Sequence, residues 1–434
     1  MEKKLKVVWI CHFSNNDVRA RLPLSQMKLK NRIKSLLGRK TQNQYFDFAP
    51  WITNLIREFE NFKDIELHVV APIKGLKQFT SEFEMRGIFY HFFKVRHTSV
   101  PNKFYLGIKT KFLLNRYFVK KFINGIKPDI VNLIGTENPY YSITTLDIKN
   151  TPVYVSAQTV YTNPDRKKYS DSCIKLFWDV EMSIHKKEKY FGCHGRMHRD
   201  LLLNNNPNAI IFKMFFPMEK PQQVKQVLKI YDFVFFGGIV KKKGIEDLIE
   251  ALAIVKNEKS NVTLNIVGKC PESYMNFLLN KINELDLSNN IVFTDYFPVH
   301  SDMHQHIVQS HFAVLPLKLD VIASSVIEAI FLGLPLVTYK TSGTPYLNKN
   351  GESVLLANIG DIEMLAKQML KLLNSPTLAK QLSKNARSFV EKEFDNTNSA
   401  KRLVSNYRAV VEHYNNNTPI PEEQLFNISE FPIY

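Results

Sequence analysis

The sequence predicts an α/β protein: two successive doubly wound, Rossmann-like domains facing each other across a cleft. Three observations carry this. The chain has 434 residues, roughly two or three times the usual domain length. Short apolar runs alternate with stretches of helical periodicity, the pattern of parallel sheets covered by helices. That alternation runs twice, and between the runs lies 216–225 (FPMEKPQQVK), with two prolines and no apolar period. The expected organisation is therefore a first domain over 1–218, a second over 226–396, and a C-terminal helix and tail over 397–434 that packs back on the first domain.

In the first half, strands are expected at 6–11, 66–70, 129–134, 153–157, 189–193 and 209–213. Helices are expected at 50–59, 103–126 and 171–186. The charged start MEKKLKVVWICHF has too short an apolar run for a signal peptide and reads as a first buried strand. In the second half, strands are expected at 232–236, 263–267, 290–293, 312–315, 335–338 and 353–356. The clearest helix is 245–255, where Ile245, Leu248, Ile249 and Leu252 keep one apolar face. A last helix is expected over 397–413.

Composition narrows the classes. Hydrophobic residues make up 44% and charged residues 23%, ordinary for a globular protein with real cores. No window approaches the ~18 apolar residues of a membrane span. The four cysteines are scattered, without metal or disulfide spacing, which suits a reducing, cytoplasmic compartment. The net charge of +17 sits in one half: residues 1–220 hold 37 Lys and Arg against 19 Asp and Glu. Two basic stretches, 24–40 and 103–127, contribute to that excess. The second interleaves aromatic and aliphatic residues with seven Lys and Arg. An anionic partner for the N-terminal half follows: a lipid surface, a phosphorylated carrier or an acidic glycan. A nucleic-acid module would need a recognisable basic-aromatic motif, and none is present.

The densest motif is 320–356, DVIASSVIEAIFLGLPLVTYKTSGTPYLNKNGESVLL. It reads as loop, short helix, glycine stop, buried strand, polar glycine turn and strand. Ser325 and Glu328 have capping-box spacing. Asp320 and Glu328, with Ser324 and Ser325 at the helix start, could surround one polar ligand. Amides in the Ser342-Gly343-Thr344 turn could bind phosphate oxygens. A second stretch, 235–252, is FFGGIVKKKGIEDLIEAL. Its Gly237-Gly238 pair ends a strand and Lys243 closes a lysine run. Each residue also has a plain structural alternative: a helix cap for Glu328, a loop acid for Asp320, a solvated charge run for Lys243.

These residues resemble the donor site of retaining GT-B glycosyltransferases of family 4 (glycosyl transferases group 1), of the polysaccharide-synthesis type. That family carries two acidic residues separated by seven, an EA…G.P(V)V run and a Gly-rich turn. The resemblance implies that Glu328 holds the nucleotide ribose, that Asp320 contacts the donor sugar in place of the usual Glu, and that Lys243 holds the pyrophosphate. Gly238 stands where the family has an arginine, leaving Lys241, Lys242 or Arg196 as substitutes. In the first half, VYVSAQT (153–159) resembles a strand that usually ends in His, with Gln158 there instead. GRMHRD (195–200) resembles a GR…D run of the same relatives, which points to Arg196 and, second, His194. Glu137, after another strand, reads as an acceptor-side group.

The resemblance implies a metal-independent hexosyltransferase that retains anomeric configuration. It would move a sugar from a nucleoside diphosphate, UDP ahead of GDP, to a glycan or lipid-linked glycan in surface polysaccharide synthesis. No D-x-D metal anchor is found, so Lys243, Asp320 and Glu328 with oriented amides would do the work of charge stabilisation. No cofactor and no metal are expected. Expected partners are the sugar nucleotide, the acceptor and an anionic membrane at its cytoplasmic face. Two other readings share the architecture: a sugar-nucleotide epimerase, and a nucleotide-binding paralogue without turnover.

Overall fold

In the computed structural model, residues 3–24, 49–95, 107, 109–164, 175–218, 220–225, 227–319 and 322–430 are described. The first half supplies strands β1 (Leu5–Ile10), β2 (Ile65–Ile73), β3 (Thr80–Met85), β4 (Ile88–Lys94), β5 (Ile130–Ile134), β6 (Val153–Ser156), β7 (Tyr190–Cys193) and β8 (Ile210–Lys213). They form one sheet in the order β3-β4-β2-β1-β5-β6-β7-β8, parallel except for the β3–β4 pair. Helices α1 (Asn16–Arg21), α2 (Pro50–Phe59), α3 (Leu113–Ile126), α4 (Pro139–Ser142), α5 (Lys175–Lys187) and α6 (Arg196–Asn205) connect them.

The second half supplies β9 (Tyr231–Phe236), β10 (Leu264–Val267), β11 (Ile291–Thr294), β12 (Ser310–Leu315), β13 (Leu336–Tyr339) and β14 (Leu355–Ala357). Their order is β11-β10-β9-β12-β13-β14, all parallel. The intervening helices are α7 (Ile245–Glu258), α8 (Glu272–Glu284), α9 (His300–Ile307), α10 (Ser324–Phe331), α11 (Ile362–Asn374) and α12 (Pro376–Glu393). Both sheets wind outward from a central strand and then reverse. The reversals fall between β1 and β5 and between β9 and β12. Ligands of such sheets bind beyond the carboxyl ends of the strands beside those reversals.

The expected strands appear with small shifts at their ends, because apolar runs such as VVWI and VFF are buried on both faces of the parallel sheets. Helices α1, α4 and α6 were not expected, and two further elements differ. The antiparallel β3–β4 hairpin was not expected, since TSEFEM has no continuous apolar run and lies at the sheet edge. Its two-residue turn, Arg86-Gly87, has φ of +54° and +76°, the left-handed pair that tight hairpins require. The helix expected over 103–126 is corrected: Gly107 and Lys109 are helical, but a left-handed step at Lys111 and Phe112 (φ +46° and +52°) interrupts the run and α3 starts at Leu113. Residues 103–106 and 108 lie outside the described residues, as do 25–40 of the other basic stretch and 171–174 of the helix that appears as α5.

A final helix, α13 (Asn396–Asn416), crosses from the second half and lies on the first sheet. The fully buried Tyr407 accepts a hydrogen bond from Asn132 Nδ2 at 2.5 Å and meets the Tyr154 ring edge-on at 5.7 Å. Asn406 Nδ2 donates to Tyr154 Oη at 3.2 Å, and Tyr190 Oη pairs with His413 Nδ1 at 2.8 Å. The two halves also meet around Phe215, whose ring stacks on Tyr346 at 5.2 Å and tilts against Phe394 at 5.0 Å. Beside it, Lys213 Nζ lies 2.6 Å from Glu430 and 3.4 Å from Glu393.

Truncating Tyr407 empties a large volume and strands Asn132 in the core. Tyr407→Ala should cost about 3–5 kcal/mol, read as a lower urea midpoint at unchanged slope, whereas Tyr407→Phe should cost far less.

Candidate functional site

The carboxyl ends of the two sheets face one cleft of about 1110 Å³. On the second-sheet side, β9 runs into Gly237 and Gly238. Gly237 has φ of +125° and Gly268, after β10, has φ of +144°. A Cβ on Gly268 would sit 1.9 Å from the Gly237 carbonyl oxygen. The two strand ends therefore approach backbone to backbone, which only glycine allows. A Cβ at Gly238 would meet nothing within 4 Å, so the cleft is open there.

Lys243 ends a short 3-10 turn, Lys241–Lys243, and lines the cleft. Gly244 follows with φ of +73°, and a Cβ there would strike the Pro316 carbonyl at 2.0 Å. The turn is clamped from beneath. Lys318 N donates to the Lys242 carbonyl at 3.0 Å, while Lys318 Nζ and Tyr339 Oη both reach the buried Asp247 carboxylate at 2.7 Å. The lysine run is thus split: Lys241 and Lys242 are exposed and do not line the cleft, and Lys243 does.

Helix α10 points its N-terminus into the cleft, with Ala323, Ser324 and Ser325 on the wall. Ala323 is the N-cap and supplies no side-chain acceptor. The Ser325–Glu328 capping box is therefore corrected: the helix begins at Ser324, so Ser325 is already inside its first turn. The first amides stay oriented toward the cleft, where an anion would be favoured. Glu328, with its side chain 13% exposed, also lines the cleft, and its Oε2 is 3.6 Å from His304 Nε2 on α9.

On the first-sheet side the cleft is lined by Glu137 after β5, Gln158 and Thr159 after β6, and His194 after β7. In the amide orientation that satisfies its neighbours, Gln158 donates to Glu137 Oε1 at 3.1 Å and accepts from Trp51 Nε1 at 2.6 Å. Burial lowers the His194 pKa to about 4, so its ring is neutral at pH 7. Neighbouring His198 is lowered to about 3, by burial and then by His194 and His185, and His12 to about 4 by burial.

Of the expected site residues, the cleft gathers Glu137, Gln158, His194, Gly237, Gly238, Lys243, Ser324, Ser325 and Glu328. Arg196 is not on its wall and faces Asp200 at 3.9 Å, one turn along α6. Ser342, Gly343 and Thr344 are also off the wall. The Thr341 and Thr344 hydroxyls satisfy the backbone of their own turn, Thr344 Oγ1 donating to the Tyr339 carbonyl at 2.6 Å. Asp320 lies outside the described residues. Sequence reasoning missed Trp51, Lys269, Asp295, Tyr296 and His300, which also line the cleft. Lys269 and Asp295 each follow a strand by one or two positions. The rule that ligands sit beyond carboxyl ends could have found them had it been applied to every strand.

Residues 218–389 match the family Glycosyl transferases group 1. The capsular polysaccharide biosynthesis glycosyltransferase CapM of Staphylococcus aureus is 28% identical over 178 residues, 40% of this chain and 44% of CapM. The match thus spans less than half the length of that relative. The uncharacterized glycosyltransferase MJ1069 of Methanocaldococcus jannaschii is 22% identical over 74% of this chain and 87% of its own. Among solved structures, sucrose-phosphate synthase from Thermosynechococcus elongatus superposes with a TM-score of 0.68 at 13% identity, over 93% of this chain and 98% of that one. Anabaena HepE, in complex with UDP and glucose, gives 0.64 at 13% identity, over 93% and 100%. At these identities the likeness is one of fold, and the fold is GT-B.

The buried histidines predict an acid-labile protein. Each binds a proton more readily unfolded, near pH 6.5, than folded, near pH 3–4. Their contribution is complete above about pH 6.5 and is lost as pH falls toward 4. Thermal melts from pH 7 to 5 should therefore drop steadily, and the drop should be smaller in His198→Gln.

Proposed function

We propose that the protein is a retaining, metal-independent hexosyltransferase. It would transfer a sugar from a nucleoside diphosphate, UDP before GDP, to a glycan or lipid-linked glycan in surface polysaccharide assembly. The observation that carries this reading is the placement of Glu328, Lys243 and the uncapped α10 amides on one wall of the cleft, opposite Glu137, Gln158 and His194. One wall offers what a nucleoside diphosphate needs: a carboxylate for ribose hydroxyls, and a cation and oriented N–H groups for phosphate. The other offers a carboxylate, an amide and a neutral imidazole beside the Trp51 ring, groups that suit sugar hydroxyls. The S. aureus relative is named for capsular polysaccharide biosynthesis, and HepE has been solved with UDP and glucose; both favour a sugar-nucleotide reading.

In the reaction, the acceptor hydroxyl oxygen bonds to the anomeric carbon as the bond from that carbon to the diphosphate oxygen breaks. The acceptor proton passes to the departing diphosphate on the same face of the sugar. Lys243 and the α10 N-terminus stabilise charge as it grows on the diphosphate, and the facing walls supply proximity. Lys269, exposed on the cleft wall, is a second cation within the same wall and compensates for the arginine replaced by Gly238. Arg196 has no part in this.

Among the described residues no helix is long and apolar enough to cross a membrane. Helix α3 nonetheless exposes Leu113 and Tyr117, 62% and 60% accessible, beside Lys120 and Lys121. A basic face bearing exposed apolar residues suits peripheral contact with an anionic, cytoplasmic membrane surface.

Thermal unfolding with UDP, GDP, ADP and CMP tests the donor site. A ligand at about 100 times its dissociation constant adds about 2.7 kcal/mol, a midpoint shift of roughly 2–4 °C. The shift is expected with UDP and should vanish in Glu328→Ala; no shift with any nucleotide would remove the reading. A nucleotide shift without sugar transfer to any acceptor would favour the non-catalytic paralogue. Gly238→Arg fills open space with a cation and should tighten UDP binding by roughly tenfold, about 1.4 kcal/mol, measured by calorimetry.

A further inference from the structure

We infer that His300, His304 and Glu328 form a binding site for a borderline divalent cation of the zinc type, set in the wall of the cleft. His300 and His304 stand one turn apart on α9, and Glu328 faces them from α10. One ligating atom from each residue lies within 4.8 Å of the other two. His304 Nε2 and Glu328 Oε2 are already 3.6 Å apart; donors sharing a tetrahedral zinc at 2.0–2.1 Å sit roughly 3.3 Å apart. The remaining closure falls to His300, which is exposed and whose ring meets that of His304 edge-on at 5.6 Å.

An independent observation points the same way. His304 is only 7% exposed, and its Nε2, buried and directed at the carboxylate, has no hydrogen-bond partner. A buried imidazole nitrogen without a partner is costly, and a metal bond removes that cost. Two imidazoles and one carboxylate select zinc and its first-row neighbours over magnesium or calcium, which prefer all-oxygen shells. Three protein ligands leave a coordination position open toward the cleft.

The consequence concerns regulation, and this part rests on the donor-site reading of Glu328. A metal on Glu328 Oε2, the oxygen that faces His304, takes that acceptor away from ribose hydroxyls and withdraws charge from the other, so zinc and the sugar nucleotide compete. Bound zinc would act as a brake, released by nucleotide or by a chelator.

Zinc affinity is measured by competition with a chromophoric chelator, on the full chain without nucleotide. Wild type should bind one equivalent, while His300→Gln and His304→Gln should each bind at least tenfold more weakly. Magnesium should not displace the zinc. Equal zinc affinity in wild type and His300→Gln overturns the site; that residue is exposed, so loss of folding does not confuse the result, and circular dichroism checks it. Titrating UDP into the zinc-loaded protein then tests the coupling. Release of zinc is expected. Zinc retained at saturating UDP, with UDP demonstrably bound, overturns the competition and leaves the metal site standing. Zinc bound by wild type with no UDP binding under any condition instead overturns the donor-site reading.

Discussion

Everything proposed for this protein depends on two sheets presenting their carboxyl ends to the same space. That relation is set by a small aromatic and ionic cluster rather than by the cleft itself. Phe215, leaving β8, is held between Tyr346 and Phe394 of the second half, and Tyr346 in turn meets Phe389 edge-on at 5.3 Å. Lys213, from the end of the same strand, is shared by Glu393 and Glu430 and lies over the Phe215 and Tyr346 rings. Partly buried charges of this kind are stable only when paired. The pairing joins the end of the first sheet to residues of the second half and the tail.

Helix α13 completes the arrangement by a different route. It belongs by sequence to the end of the chain, yet its buried face, with Leu403, Tyr407 and Val410, packs in the first-half core. Asn132 and Tyr154, both fully buried in the first sheet, are satisfied by Tyr407 and Asn406. Polar groups in the middle of a parallel sheet would be costly without such partners. The first sheet is thus chemically incomplete until the last helix arrives, which ties the two halves into one cooperative object.

The fold was legible because it rests on local pattern. Buried parallel strands read as apolar runs, and α7 declares itself through Ile245, Leu248, Ile249 and Leu252. The β3–β4 hairpin was hidden because an edge strand needs burial on one face only: Glu82 and Glu84 alternate with Phe83 and Met85, so no apolar run marks it. The break at Lys111-Phe112 was hidden because left-handed steps outside glycine and asparagine carry no sequence signature. Within the site, Lys243, Ser324 and Ser325 were legible because each lies near a strand end or helix start marked by glycine or by an abrupt change of period, whereas Glu328, in mid-helix, was legible only through the motif its stretch resembles. Ser342 to Thr344 looked equally suitable, but Thr341 and Thr344 spend their hydroxyls on the turn's own backbone. A sequence cannot show which polar groups are already used.

The same reasoning explains why Glu328 is the pivot of the second wall. As a helix cap it would have turned back along its own chain, and no carboxylate of α10 would have faced α9. Starting α10 two residues earlier, at Ser324, rotates Glu328 away from the helix end and toward α9, where it meets His304. That rotation creates two possibilities from one side chain: a partner for ribose hydroxyls, and a third donor beside two imidazoles. Because Oε2 faces His304, a metal there would take one of the two oxygens that ribose hydroxyls would use, and the two possibilities compete. On the proposed reading, a nucleotide site that shares its acid with a histidine pair would be sensitive to transition metals. The sensitivity comes from α9, an element that the motif around Glu328 does not include. Relatives could keep that motif intact and differ in this property through residues 300 and 304 alone.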